Sequence, residues 1–228
     1  MNDDINNIML TLDVDSYAIK YAVNTNADLI ITHHPFLFSG IKSINFNTYE
    51  GNIIKELIAN GISLYSMHTS FDMADYGVSH KLAEKLNIVD YHVLHEVNSD
   101  LSGYGGIGTI ESVNIVEYAK RVKEQLNAEH IKLYCNDEKK LIKRVAFCGG
   151  SGSDFIDDAI QKKADVYITG DIKYHQAQTA LRNYLFIIDA GHYYTEYHAM
   201  ELIKEVLEKF EELNVAILEN NTVKEIII

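Results

Sequence analysis

The chain has 228 residues, a formal net charge of −13, 47% hydrophobic residues, two cysteines and no tryptophan, enough to bury a sizeable core as one or two domains without disulfide staples. The acidic balance and the lack of a basic stripe exclude a nucleic-acid partner, because binding a phosphate backbone needs Lys and Arg to displace counterions. No apolar run approaches the roughly eighteen residues that span a bilayer, and "MNDDINN" is acidic where a signal peptide is basic, so a cytoplasmic protein with no membrane partner is expected.

The elements alternate. "NIMLTL" reads as a strand, a helix follows with Asp15 as N-cap and runs to about Val23, and "LIIT" is the next strand. "YEGNIIKELIAN" places Ile53, Ile54, Leu57 and Ile58 on one helix face, with Gly61 as its stop before the strand "ISLYSM". From Tyr91 to Cys135 the pattern changes to strand-like "YHVLHEV", a glycine-rich hairpin region "GYGGIGTIE", a helix near Ile115 to Leu126 and the strand "IKLYC". "VAF" and "ADVYIT" are further strands, and a long helix is expected from His192 to near Leu213.

Two strands recur at one offset. "IML" and "VAF" begin strands, and "ADLIIT" at 27–32 matches "ADVYIT" at 164–169, both 137 residues apart. Because two strands and the helix between them keep one spacing, chance is a poor explanation, and a generic βαβ unit is the lesser alternative. The repeat predicts an α/β fold of two related lobes, residues 1–95 and 141–228, joined by a middle section 96–140. Ligand sites of such folds lie at the carboxyl ends of strands, which makes a cleft between the lobes the expected location.

Metal-capable side chains gather at four strand exits: His33 and His34 in "ITHHP", His68 and Asp72 in "HTSFD", Asp171 and His175 in "GDIKYH", and His192 with Glu196 in "GHYYTE". His192 and Glu196 share one helix face, although such a pair is more often a solvated contact than a metal site. Pro35 holds His34 extended, so the adjacent His33 and His34 rings are expected on opposite sides of the chain, flanking a pair of ions rather than chelating one. Asp72 or Glu196 could bridge such a pair. Mixed histidine and carboxylate ligation without thiolate suits Zn, Mn, Fe or Co.

"TLDV", "ITHHP", "HTSFD", "VAFCGGSG", "ADVYITGDIKYH" and "DAGHYYTE", in this order, strongly resemble the Ngg-interacting-factor-three-like proteins, also known as GTP cyclohydrolase type 2 homologues. The resemblance implies two divalent ions held by His33, His34, Asp72, His192 and Glu196, and a toroidal homohexamer. It implies His68 and His175 as neighbouring or substrate-facing groups. Family members usually begin with a helix and a Trp-Asp-containing segment before the first strand, whereas this sequence starts only a few residues ahead of "IML". It also departs in Gly106, which stands where a basic residue is common.

Other motifs are read more plainly. "CGGSGSD" lacks the Walker lysine and the dinucleotide glycine pattern, so tight-turn packing is expected over phosphate binding. Ser151 and Ser153 have no local base. His80, His92, His95, His130 and His198 are read as surface or satisfied core histidines. The expected function is a dinuclear metal-dependent hydrolase of a small anionic molecule, with GTP ring opening implied by the resemblance. A metal-binding scaffold or regulatory protein and a dimetal phosphoesterase are the alternatives.

Overall fold

The computed structural model describes residues 4–97 and 102–226. In chain order the elements are β1 (Asn7–Thr11), α1 (Ser16–Asn24), β2 (Leu29–Thr32), α2 (Tyr49–Ala59), β3 (Ser63–Ser66), α3 (Thr69–Asp72), α4 (Val78–Lys85), β4 (Val89–Glu96), β5 (Gly103–Asn114), α5 (Ile115–Gln125) and β6 (Lys132–Tyr134). They continue with β7 (Leu141–Phe147), α6 (Ile156–Gln161), β8 (Val166–Thr169), α7 (Tyr174–Arg182), β9 (Phe186–Asp189), α8 (His192–Glu196), α9 (Ala199–Leu207) and β10 (Asn214–Ile217). The fold is mixed α/β with two sheets, and the chain divides into a first unit, up to Thr69 together with the residues from Met200 onward, and a second unit, Ser70–Ala199.

In the first unit the strand order is β10-β1-β2-β3, all parallel. Asp15 caps α1 by accepting the Ala18 amide at 2.7 Å, and Thr48 caps α2 by accepting the Gly51 amide at 3.1 Å. Each cap satisfies an amide that the first helical turn leaves without an acceptor. Met9, Ile30, Ala18, Ile53 and Leu57 close the core between helices and sheet.

In the second unit the order is β4-β5-β7-β8-β9-β6, with β7, β8 and β9 mutually parallel and the flanking strands antiparallel. Alternation along the strands fills two cores. Val145, Phe147, Val166, Ile168, Phe186 and Ile188 enter one cluster, while Ala146, Tyr167 and Ile187 enter the other. A sheet covered on both faces needs near-continuous apolar strands, which is how β7 to β9 read.

A set of bonds in the first unit recurs in the second. Asp28 Oδ2 accepts the amides of Asn6 and Asn7, and Asp165 Oδ2, 137 positions later, accepts those of Lys143 and Arg144. The register Ile8↔Leu29 likewise recurs as Val145↔Val166. The left-handed residues Asn26 (φ 52°) and Lys163 (φ 57°) also stand at that offset.

Several local expectations change. The boundaries expected at 95/96 and 140/141 both fall inside the second unit, because β4 and β5 pair onto β7 in its sheet, while β10 returns to pair with β1. The glycine-rich stretch 103–111 is not a hairpin but part of one strand, β5. Its glycines meet crowded neighbours: a Cβ on Gly106 would overlap the Phe147 ring, and one on Gly108 would come within 2.6 Å of the Val89 carbonyl oxygen. The helix expected from His192 to Leu213 is two helices, α8 and α9, and ends at Leu207.

Candidate functional site

In the first unit, β2 delivers His33 and His34 at the exit of a strand whose Thr32 hydroxyl donates to the His34 carbonyl at 2.8 Å and bonds the Ser66 hydroxyl at 2.9 Å. The chain bends there, and the two rings do not part to opposite sides as an extended segment would place them. Their centroids are 5.2 Å apart, and each faces the His68 ring at 5.3 and 5.9 Å. The bend overrides the period of two that a flat strand imposes.

Each of these two histidines has one nitrogen held by an oxygen. His33 is fully buried, and its Nδ1 lies 2.9 Å from the Met67 carbonyl. A carbonyl only accepts, so the proton is assigned to Nδ1 and the lone pair to Nε2. His34 Nδ1 lies 2.8 Å from Asp13 Oδ1, which assigns its proton the same way. Phe38, exposed to solvent, packs edge-on to His68 at 5.7 Å.

In the second unit, His192 opens α8 directly after Gly191 in left-handed backbone (φ 83°). Its Nδ1 lies 2.7 Å from Asp171 Oδ2 and its Nε2 2.9 Å from Glu196 Oε2. Burial alone would lower its pKa, but Glu196 first and Asp171 second outweigh burial and raise it to about 9. Asp72 ends α3 in the same unit. Burial, then the charges of Asp72 and Glu196, push the Cys148 thiol up to about 12. His175 sits in the first turn of α7 with its ring edge-on to Tyr174 at 5.2 Å.

The glycine turn after β7 packs onto this pair. Gly150 N donates to Thr195 Oγ1 and Gly152 N to Thr169 Oγ1, both at 2.9 Å. Tyr167 donates its hydroxyl to the Gly152 carbonyl at 2.7 Å. With these two amides held internally, the turn packs rather than cradling an anion. His80 bonds Tyr91, His95 bonds Asp158 and His198 bonds the Leu126 carbonyl, as satisfied histidines do.

His33, His34 and His68 in the first unit, and Asp72 and Glu196 in the second, are residues able to hold a metal ion. The donor chemistry fits one. Metal-bound histidines characteristically give their second nitrogen to a carboxylate or backbone carbonyl, and His33, His34 and His192 all do. Sequence reasoning did not single out Asp13 or the Met67 carbonyl, and it marked Asp171 as a ligand-type residue rather than as an orienting group. Asp13 was findable, since it follows the exit of β1, whose Thr11 is in register with Thr32. A backbone carbonyl carries no sequence signal.

The model of the Duf34/NIF3 (NGG1p interacting factor 3) family matches residues 1–224. The chain belongs to this family. Among Duf34/NIF3 relatives, the "GTP cyclohydrolase 1 type 2 homolog" of Streptococcus pneumoniae is 35% identical over 215 residues, covering 93% of this chain and 80% of the relative. The "GTP cyclohydrolase 1 type 2" of Helicobacter pylori is 34% identical over 212 residues, covering 92% of this chain and 80% of the relative. The crystal structure of a Bacillus cereus protein related to NIF3 matches the fold with a TM-score of 0.89 at 21% identity, covering 100% of this chain and 91% of that one. Among the described residues, no helix is long and apolar enough to cross a membrane.

Proposed function

We propose that this Duf34/NIF3 protein is a metal-dependent hydrolase of a small anionic molecule, holding two divalent ions of Zn, Fe, Mn or Co through His33, His34, Asp72, His192 and Glu196. The observation that carries the reading is the shared orientation of three histidines, each with Nδ1 held by an oxygen acceptor as metal-bound imidazoles characteristically are, with His192 Nε2 turned toward the Glu196 carboxylate. Bound divalent ions supply a water of lowered pKa and polarise the bond attacked.

The chain's own groups do the rest. Asp13 and Asp171 hold His34 and His192 in orientation. His68, which lies beside the His33 and His34 rings, or His175 moves protons. The net charge of −13 opposes an anionic substrate, and bound cations offset that locally. The Helicobacter relative's name makes GTP the first substrate to test, with the chain assembled as a ring-shaped homohexamer.

Elemental analysis of the tag-free chain should find about two transition-metal ions per chain, with fewer in His33→Ala. The loaded chain should hydrolyse a nucleotide from a panel led by GTP, and product analysis separates ring opening from phosphate release. Asp72→Ala should lose both metal and hydrolysis. Unchanged hydrolysis in Asp72→Ala would overturn the assignment, and metal without turnover on any nucleotide would favour the scaffold.

A further inference from the structure

Asp189 ends β9 and is buried, with 4% of its surface exposed. Its Oδ2 accepts the Ile172 amide at 3.3 Å and its Oδ1 accepts the Gly191 amide at 3.2 Å. Ile172 follows Asp171, and Gly191 precedes His192. One carboxylate therefore fastens both turns whose side chains meet at 2.7 Å between Asp171 Oδ2 and His192 Nδ1.

The Asp171 turn is the one that needs fastening: Asp171 (φ 59°) is in left-handed backbone, which costs a non-glycine residue, whereas Gly191 (φ 83°) adopts its positive φ without strain. The turns also touch, since a Cβ on Gly170 would come within 2.6 Å of the His192 amide nitrogen. Lys132 Nζ stands 3.8 Å from Asp189 Oδ2, but the lysine is half exposed. A pair of that kind adds little, so the two amide bonds are the carboxylate's main tie.

We propose that Asp189 is a positioning residue for His192: it sets the Asp171 and Gly191 turns so that Asp171 captures the His192 Nδ1 proton and aims Nε2 at the ligand position. The metal readout of this inference rests on the function proposed above. The proton readout does not.

In the metal-free protein, the His192 Nδ1 proton held by Asp171 should give a downfield NMR resonance that exchanges slowly with solvent. The resonance should vanish in Asp171→Asn, and in Asp189→Asn its exchange should quicken about tenfold or more, as expected for a loosened orienting partner. Where Asp189→Asn does not fold, Asp189→Glu keeps the charge, displaces the carboxylate and should quicken exchange in the same way. Wild-type exchange in the folded variants would overturn the inference.

Metal affinity gives the second test. Asp189→Asn should weaken binding of Zn or Mn about 10- to 100-fold in the otherwise wild-type chain and add little in the Asp171→Asn background. Equal losses in both backgrounds would mean a merely structural role and would overturn it. If the wild-type chain binds no metal, the proposed function falls while the proton exchange still decides the role of Asp189.

Discussion

Gly150 lies directly against Glu196: a Cβ there would overlap the Glu196 carboxylate and stand 3.1 Å from His192 Nε2. The residue is also in left-handed backbone at φ 61°, where an alanine costs about 1–2 kcal/mol. Gly150→Ala should therefore lower the thermal midpoint modestly, and it should weaken metal binding by more than about tenfold because the displaced carboxylate and ring no longer converge. Isothermal titration with Zn or Mn alongside thermal unfolding checks both effects.

His192 predicts a pH dependence with a definite sign. Its pKa is raised from 6.5 to about 9 in the folded metal-free chain, so the folded state binds the proton more tightly than the unfolded one. The stability from this group is fully present below pH 6.5 and is lost as pH rises through about 9. Urea midpoints of the metal-free protein across this window should fall with pH, and His192→Gln should flatten that part of the curve. With His192 as a metal ligand, as proposed, binding displaces the same proton, so apparent affinity should climb toward pH 9 with proton release near neutrality.

Asp28 and Asp165 tie the loops entering β2 and β8 to the start of β1 and the middle of β7. Hydrogen bonds to a charged acceptor contribute about 1.5–3 kcal/mol. Asp28→Ala and Asp165→Ala should each destabilise by an amount in that range. The double variant should lose close to the sum, since the pairs share no partner. Chemical denaturation of the three variants measures this, and a strongly sub-additive double variant would contradict it.

The thiols should differ in reactivity. Cys148 is buried, and its thiol is pushed up to about 12 by burial and by the charges of Asp72 and Glu196, leaving almost no thiolate at pH 8. Cys135 is only half-buried, although partial burial, then Glu138 and Asp137, raise its thiol too. Iodoacetamide should label Cys135 slowly in the native chain, and Cys148 only after denaturation, as read by peptide mass spectrometry.

The alternation of strands and helices, the capping role of Asp15, the helix stop at Gly61 and the gathering of His33, His34, His68, Asp72, His192 and Glu196 at strand exits were all legible from residues alone. Each depends on local periodicity or on a residue's own chemistry. The motifs in their order were likewise enough to recognise the family. The break between α8 and α9 was not legible, because the apolar spacing continues through Tyr197 and His198 while His198 turns to bond the Leu126 carbonyl 72 residues away.

By itself the sequence determined which chemistry the strand exits carry, since donor atoms belong to residue types. Tertiary structure alone decided which atoms orient them: the Met67 carbonyl under His33, Asp13 under His34, and Asp171 under His192, itself set by Asp189. It also decided that β10 pairs with β1 and that β5 runs on as one long strand. The physical reason is range. Periodicity reports which face of an element is buried, whereas strand pairing and the second partner of a buried imidazole are set by groups far away in the chain, among them backbone atoms that every residue shares.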